Sequence, residues 1–115
     1  MLNLSTKVRV FLYRIPTDMR KGFCGLHGLV VESLEQDPLS GDLFVFINKR
    51  RDRVKILQWE GDGLAIYYKR LESGTFALPD AEVDSITLTN AQLQLMLSGI
   101  DLKETRSRKR YRRSA

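Results

Sequence analysis

Five consecutive apolar residues, Leu43-Phe44-Val45-Phe46-Ile47, constrain this chain more than any other stretch. Successive side chains of a strand point to opposite faces, so a strand with one wet face alternates and this one does not. Residues 43–47 therefore predict an interior strand covered on both sides by apolar groups. One cover is a long helix expected upstream. The other is a final helix or a second copy of the chain.

The flanking sequence supplies these elements. Residues 8–13 (VRVFLY) read as a first strand, with Val8, Val10 and Leu12 on one face. Pro16 ends it, since proline has no N–H to donate and biases Ile15 to extended backbone. Thr17 or Asp18 then caps a helix whose apolar positions Met19, Phe23, Leu26, Val30 and Leu34 keep helical spacing. Gly22, Gly25 and Gly28 recur every third residue there, each costing a helix interior about 1 kcal/mol against Ala. They predict either a face that another element approaches closely or a helix shorter than the spacing draws.

Residues 37–41 (DPLSG) form a turn in which Pro38 presets φ and Gly41 takes a positive one. Residues 43–47 and 54–59 read as a hairpin, EGDG at 60–63 turns the chain into a strand over 64–69, and residues 85–88 form the last strand. Gly74 and Pro79 bracket a short segment around Phe76. In TNAQ, Thr89 caps a helix and Gln92 completes a capping box; Leu93, Met96 and Leu97 face inward and Gly99 stops it. The order β-α-β-β-β-β-α, with short turns between consecutive strands, predicts one α+β domain over residues 1–102. Its antiparallel sheet has about five strands, with helices packed against it.

The charge is divided unevenly. The whole chain carries +5, but residues 103–115 hold seven Lys and Arg and one acid, Glu104, leaving −1 for residues 1–102. A block of like charge repels itself, stays disordered alone and commonly binds a polyanion, so residues 103–115 read as a basic disordered tail. A second concentration lies between two apolar strands, where Lys49, Arg50, Arg51 and Arg53 surround a single carboxylate, Asp52. Together with Lys55, Lys69 and Arg70, and with Arg106, Arg108, Lys109, Arg110, Arg112 and Arg113 of the tail, these are the candidate DNA-binding residues. Alternation puts Tyr67 and Tyr68 on opposite faces, so only one can be core; the other is either a stacking surface beside Lys69 and Arg70 or, the plainer reading, a packed ring with its hydroxyl in water.

Other chemistries find less support. Cys24 and His27 are spaced to share a helix face, but two ligands do not complete a zinc site and a packed pair is the plainer reading. Asp18, Asp42, Asp52, Glu60, Asp62 and Glu72 would have to assemble a magnesium site for a small metal-dependent nuclease. Most of them stand where a cap or turn already favours an acid. Phosphate-loop and dinucleotide fingerprints are lacking, and no cofactor is expected. No apolar run approaches a membrane span, and Lys7 and Arg9 interrupt any secretion signal. One cysteine forms no internal disulfide and fits a reducing cytoplasm.

Three stretches, VRVFLYRIPTDMRKGFCGL, QDPLSGDLFVFINKRRDRVKILQWEGDGLAIYYKRLESGTFALP and ITLTNAQLQLMLSGID, carry a resemblance over residues 4–102. Their most telling parts are Asp18-Met19-Arg20, Asp37-Pro38 with Ser40-Gly41, Leu43-Phe44-Val45-Phe46, Lys55 with Trp59, and Tyr68-Lys69-Arg70-Leu71-Glu72. Together they resemble the TnpB-type accessory protein of a bacterial insertion-sequence family, the one numbered sixty-six. The resemblance implies a non-catalytic protein needed for efficient transposition, acting beside a separate, larger transposase that carries the acidic catalytic residues. It implies DNA, the transposase and another accessory protein of the element as partners, and no agreed catalytic site. The sequence departs from the pattern that the resemblance implies, in which many relatives carry an Asp where Cys24 stands and an Arg–Trp pair near Ala77 and Leu78. The competing reading is a protein–protein adaptor without DNA contact, using residues 43–47 and an exposed Tyr as an interface, a homodimer included.

Overall fold

The computed structural model describes residues 7–99. Strand β1 (Val10–Tyr13) is followed by helix α1 (Phe23–Glu32), strands β2 (Leu43–Ile47), β3 (Arg53–Trp59), β4 (Leu64–Arg70) and β5 (Ser85–Leu88), and helix α2 (Asn90–Leu97). The strands form one sheet in the order β4-β3-β2-β1-β5. The α+β class and the element order are those the sequence predicts.

The sheet is mixed rather than wholly antiparallel. β1 runs parallel to β2, with Val10 opposite Leu43 and Tyr13 opposite Phe46, while the other three pairings are antiparallel. A parallel pair needs a crossover longer than a turn, and α1 is that crossover. Strand β5 returns to the far side of β1, with Leu88 opposite Val10.

β2 occupies the centre and its five side chains are all buried. Leu43, Val45 and Ile47 join Val10, Leu12, Val54 and Ile56 beneath Leu93, Met96 and Leu97 of α2, with Phe76 in the same layer. Phe44 and Phe46 face the other way, with Phe11, Tyr13 and Leu57, against Leu26 and Val30 of α1 and Leu34 beyond it. The Phe11 and Phe44 rings stack at 5.6 Å, and Tyr13 meets Phe46 edge-on at 6.1 Å. Each fully buried aromatic of this kind is worth about 2–3 kcal/mol in transfer free energy. Both covers of β2 thus come from the chain itself, and the strand is closed to any partner.

α1 begins at Phe23, later than the apolar spacing draws, and its N-cap Gly22 offers no side-chain cap. Asp18 is spent on a local turn instead: its carboxylate accepts from the Arg20 N–H at 2.9 Å and its carbonyl accepts from the Lys21 N–H at 3.1 Å. Short polar side chains favour such turns over helix when both are within reach. A Cβ at Gly28 would meet nothing within 4 Å, and at Gly25 only the Lys21 side chain at 3.1 Å. Gly22 therefore stands at the start of the shorter helix, while Gly25 and Gly28 lie inside it and mark no close crossing of another element.

The turn at 37–41 forms as expected, with Leu39 N–H bonded to the Asp37 carboxylate at 2.9 Å and Gly41 at φ 87. At α2 the capping box is complete: Thr89 Oγ1 accepts from Gln92 N–H at 3.0 Å, and Gln92 Oε1 accepts from Thr89 N–H at 2.9 Å. Among the described residues no helix is long and apolar enough to cross a membrane.

Candidate nucleic-acid interface

The tip of the β2–β3 hairpin is built by Asn48. Its side-chain oxygen accepts from the N–H groups of Asp52 and Arg53 at 3.1 and 2.9 Å, and its Nδ2 donates to the Asp52 carboxylate at 2.7 Å. The tip is also tied to the chain beyond β4, since Leu71 N–H donates to Asp52 O at 2.8 Å and Phe76 N–H to Arg51 O at 2.7 Å. Asp52 is thus occupied in holding the turn. Lys49, Arg50 and Arg51 are exposed, and their side chains form no ion pair among the described residues.

Arg51 sits at φ 59, a left-handed conformation that costs a non-glycine residue about 1 kcal/mol or more. The loop accepts that cost while presenting a cation where a glycine would fit more easily.

Beside this tip lies a cleft of about 630 Å³, walled by residues 16–20 on one side and by the tip with Tyr68 on the other. Arg20, Lys49, Arg50 and Arg53 line it, against the two carboxylates Asp18 and Asp52. Asp18 is held by Arg20, whose Nη2 donates at 2.7 Å and whose Nε donates at 3.0 Å to the same oxygen. Those side-chain bonds, followed by the Arg20 N–H, lower the Asp18 carboxyl from its ordinary 3.8 to about 2. Four cations against two carboxylates leave the cleft with a net positive charge.

Cross-strand register extends the basic surface onto the sheet. Arg53 stands directly opposite Arg70, and Lys55 directly opposite Tyr68. Lys55 Nζ lies 4.8 Å from the centroid of the Tyr68 ring and donates to Lys21 O at 2.9 Å. Tyr68 is half exposed, whereas Tyr67 packs against the α2 side of the core, the division that alternation predicts. Arg70 reaches Glu72 at 3.4 Å, an exposed pair of little energetic weight.

The structure does not bring every candidate together. Lys69 points to the opposite face, where its Nζ donates to Leu97 O at 2.9 Å in the last turn of α2, a helix end that favours a cation. Arg106, Arg108, Lys109, Arg110, Arg112 and Arg113 lie outside the described residues. Sequence reading overlooked Arg20, since Asp18-Met19-Arg20 looked like a helix cap. The sequence does hold a signal for it, since Asp18-Met19-Arg20 is among the motifs that carry the resemblance.

Of the remaining carboxylates, Asp42 has a clear structural use. Asp42 is buried and accepts from the Arg9 N–H at 2.9 Å, Arg9 Nη2 at 3.0 Å and Ser40 Oγ at 3.1 Å. Cys24 is exposed and His27 half-buried, and among the described residues no three His, Cys, Asp or Glu side chains cluster as a metal site requires. Where relatives are expected to carry an Arg–Trp pair, Ala77 is buried and Leu78 packs against the core.

Comparison with known proteins adds a second line of information. The family model described as IS66 Orf2 like protein matches residues 8–107. An uncharacterized protein of Sinorhizobium fredii, y4hO, is 42% identical over 101 residues, covering 88% of each chain. A second from the same organism, y4jC, is 36% identical over 101 residues, covering 88% of this chain and 86% of the relative. No solved structure gives a significant match.

Proposed function

This chain belongs to the IS66 Orf2-like family, and we propose that it acts in transposition by binding DNA through phosphate contacts. Membership of the family implies an accessory protein of transposition, working with the machinery of the element. It favours a non-enzymatic role in the cytoplasm, with chemistry left to a separate transposase.

The observation that carries the DNA reading is the basic cleft. Four cations line it against two carboxylates, Asp18 paired with Arg20 and Asp52 bonded to the neutral Asn48, and among the described residues Lys49, Arg50, Arg51, Arg53 and Lys55 form no ion pair while Arg70 meets Glu72. Phosphate oxygens match that need, and such contacts position a protein without reading base sequence. Sequence specificity is then supplied by the transposase or another partner.

The test is the salt dependence of binding to duplex DNA. Each phosphate neutralised contributes about −0.9 to the slope of log K against log salt, so Arg50→Ala with Arg51→Ala should flatten it by about 2. The loss should be the same on element ends and on unrelated DNA. A double variant with unchanged affinity and slope removes the tip from the DNA contact. Capture of the purified transposase by a chain that binds no DNA would instead establish the adaptor role.

A further inference from the structure

We propose that the Tyr68 face of this interface holds an unpaired nucleotide of single-stranded DNA, with the base stacked on Tyr68 and a phosphate between Arg53 and Arg70. The inference deepens the DNA-binding reading and rests on it.

The first observation is the ring. Tyr68 is 49% exposed, although it lies in a strand whose partner residue Lys55 stands directly opposite. An exposed tyrosine would ordinarily be free to move. Here the Lys55 ammonium lies 4.8 Å from the ring centroid and is itself fixed by the Lys21 carbonyl, so the ring is held from one side and open elsewhere. A braced, half-open aromatic surrounded by cations has the composition of a stacking platform.

The second observation is the pair of guanidinium groups. Arg53 and Arg70 are direct cross-strand neighbours, an arrangement of like charges that destabilises a sheet unless something offsets it. Glu72 reaches Arg70 at 3.4 Å, and no ion pair holds Arg53 among the described residues. Arg53, Tyr68 and Arg70 line a hollow of about 240 Å³, and Arg53 and Tyr68 also line the larger cleft, so ring and cations share one concavity. An anion bridging the two arginines removes their repulsion.

A flat π-face next to a two-arginine anion seat describes a nucleotide. Bases inside a duplex are stacked on both faces and cannot reach Tyr68, whereas an unpaired base can. Arg53 and Arg70 can serve either DNA form, but Tyr68 carries no charge and serves only the unpaired base, so its removal separates strand binding from duplex binding.

The test uses the full chain, a short single strand carrying a fluorescent base analogue, and the duplex of the same sequence. Stacking should quench the analogue in the single strand. Tyr68→Ala should abolish the quench and weaken single-strand binding about tenfold, while duplex binding changes less than about twofold. Tyr68→Phe should retain both quench and affinity, and a free mononucleotide should compete only weakly. Circular dichroism checks that each variant is folded. Tyr68→Ala with unchanged quench and affinity, or with equal losses on both DNA forms, overturns the stacking site and leaves the phosphate-contact reading standing. A mononucleotide that binds at least as tightly as the strand overturns single-stranded DNA as the ligand. A wild-type chain that binds neither DNA form overturns both readings.

Discussion

Arg9 holds Asp42 at three points: its main-chain N–H donates to one carboxylate oxygen at 2.9 Å, and Nε and Nη2 donate to the other at 3.3 and 3.0 Å. The two residues precede the parallel strands β1 and β2, and Leu43 N–H returns a bond to Arg9 O at 2.9 Å. The Asp42 side chain is only 7% exposed while that of Arg9 is 62% exposed, so the acid is the committed partner.

Replacing Asp42 should therefore cost more than replacing a surface ion-pair member. Asp42→Ala leaves the Arg9 N–H and Ser40 hydroxyl without their acceptor and should cost about 2–3 kcal/mol in urea unfolding. Asp42→Asn keeps an oxygen for the Arg9 N–H but loses the charge, and should cost about 1 kcal/mol. Equal losses in the two variants would show that charge, and not the acceptor, dominates.

Asp18 makes a pH-dependent contribution of the usual acid sign. Its folded value, about 2, lies below the ordinary 3.8, so the stabilisation is fully present above that ordinary value. It is lost as pH falls from about 4 through about 2. A carboxyl titration followed by NMR should place Asp18 near the lower limit. Arg20→Ala should return it toward the ordinary value, because the guanidinium supplies the largest share of the shift.

Arg51 should show stability and binding moving in opposite directions. With φ at 59, Arg51→Gly relieves the left-handed strain and should raise stability by about 0.5–1 kcal/mol, less the entropy glycine adds to the unfolded chain. It also removes an exposed cation, so DNA affinity should fall and the salt slope should drop by about 0.9. A variant less stable than the parent would show that the Arg51 side chain supports the tip.

Ending the chain after residue 102 removes seven cations, one acid and a single large apolar residue, Tyr111. The thermal midpoint should stay close to that of the intact chain. If those cations meet phosphates, the salt slope should lose about 6 and affinity at low salt should fall. An unchanged slope would assign DNA contact to the cleft and sheet alone.

The parts of this fold legible in sequence are those fixed by local pattern. β2 is apolar at every position, and only a central strand covered twice accommodates it. The Thr89–Gln92 box fixes the start of α2 through bonds three residues apart. The start of α1 was less legible, because Asp18 serves equally well as a helix cap or as a turn acceptor, and the Arg20 guanidinium decides between them. Strand direction escaped local reading as well, since nothing in VRVFLY reveals that α1 carries the chain back to lie parallel with it.

The site divides in the same way. The cations of the hairpin tip announce themselves by density, but Arg20 enters the cleft only because the fold brings residues 16–20 beside the tip. Lys69 and Arg70, adjacent in sequence, are separated by the alternation of β4, and one of them serves the end of α2.

The parallel pairing of β1 with β2 and the return of β5 to β1 also set an order of assembly. β2, β3 and β4 are consecutive and joined by short turns, so they can pair from local encounters. β1 must wait for α1 on one side and for β5, near the end of the described chain, on the other. During synthesis the β2–β3–β4 unit bearing Arg50, Arg51 and Tyr68 is thus complete before the sheet is closed. Pulse-labelled hydrogen exchange should find the β3–β4 amides protected ahead of those between β1 and β5. The basic surface of the hairpin tip and β4 is then the earliest part of the molecule to take shape, while the edge of β1 stays open longest and is where a stalled chain would aggregate.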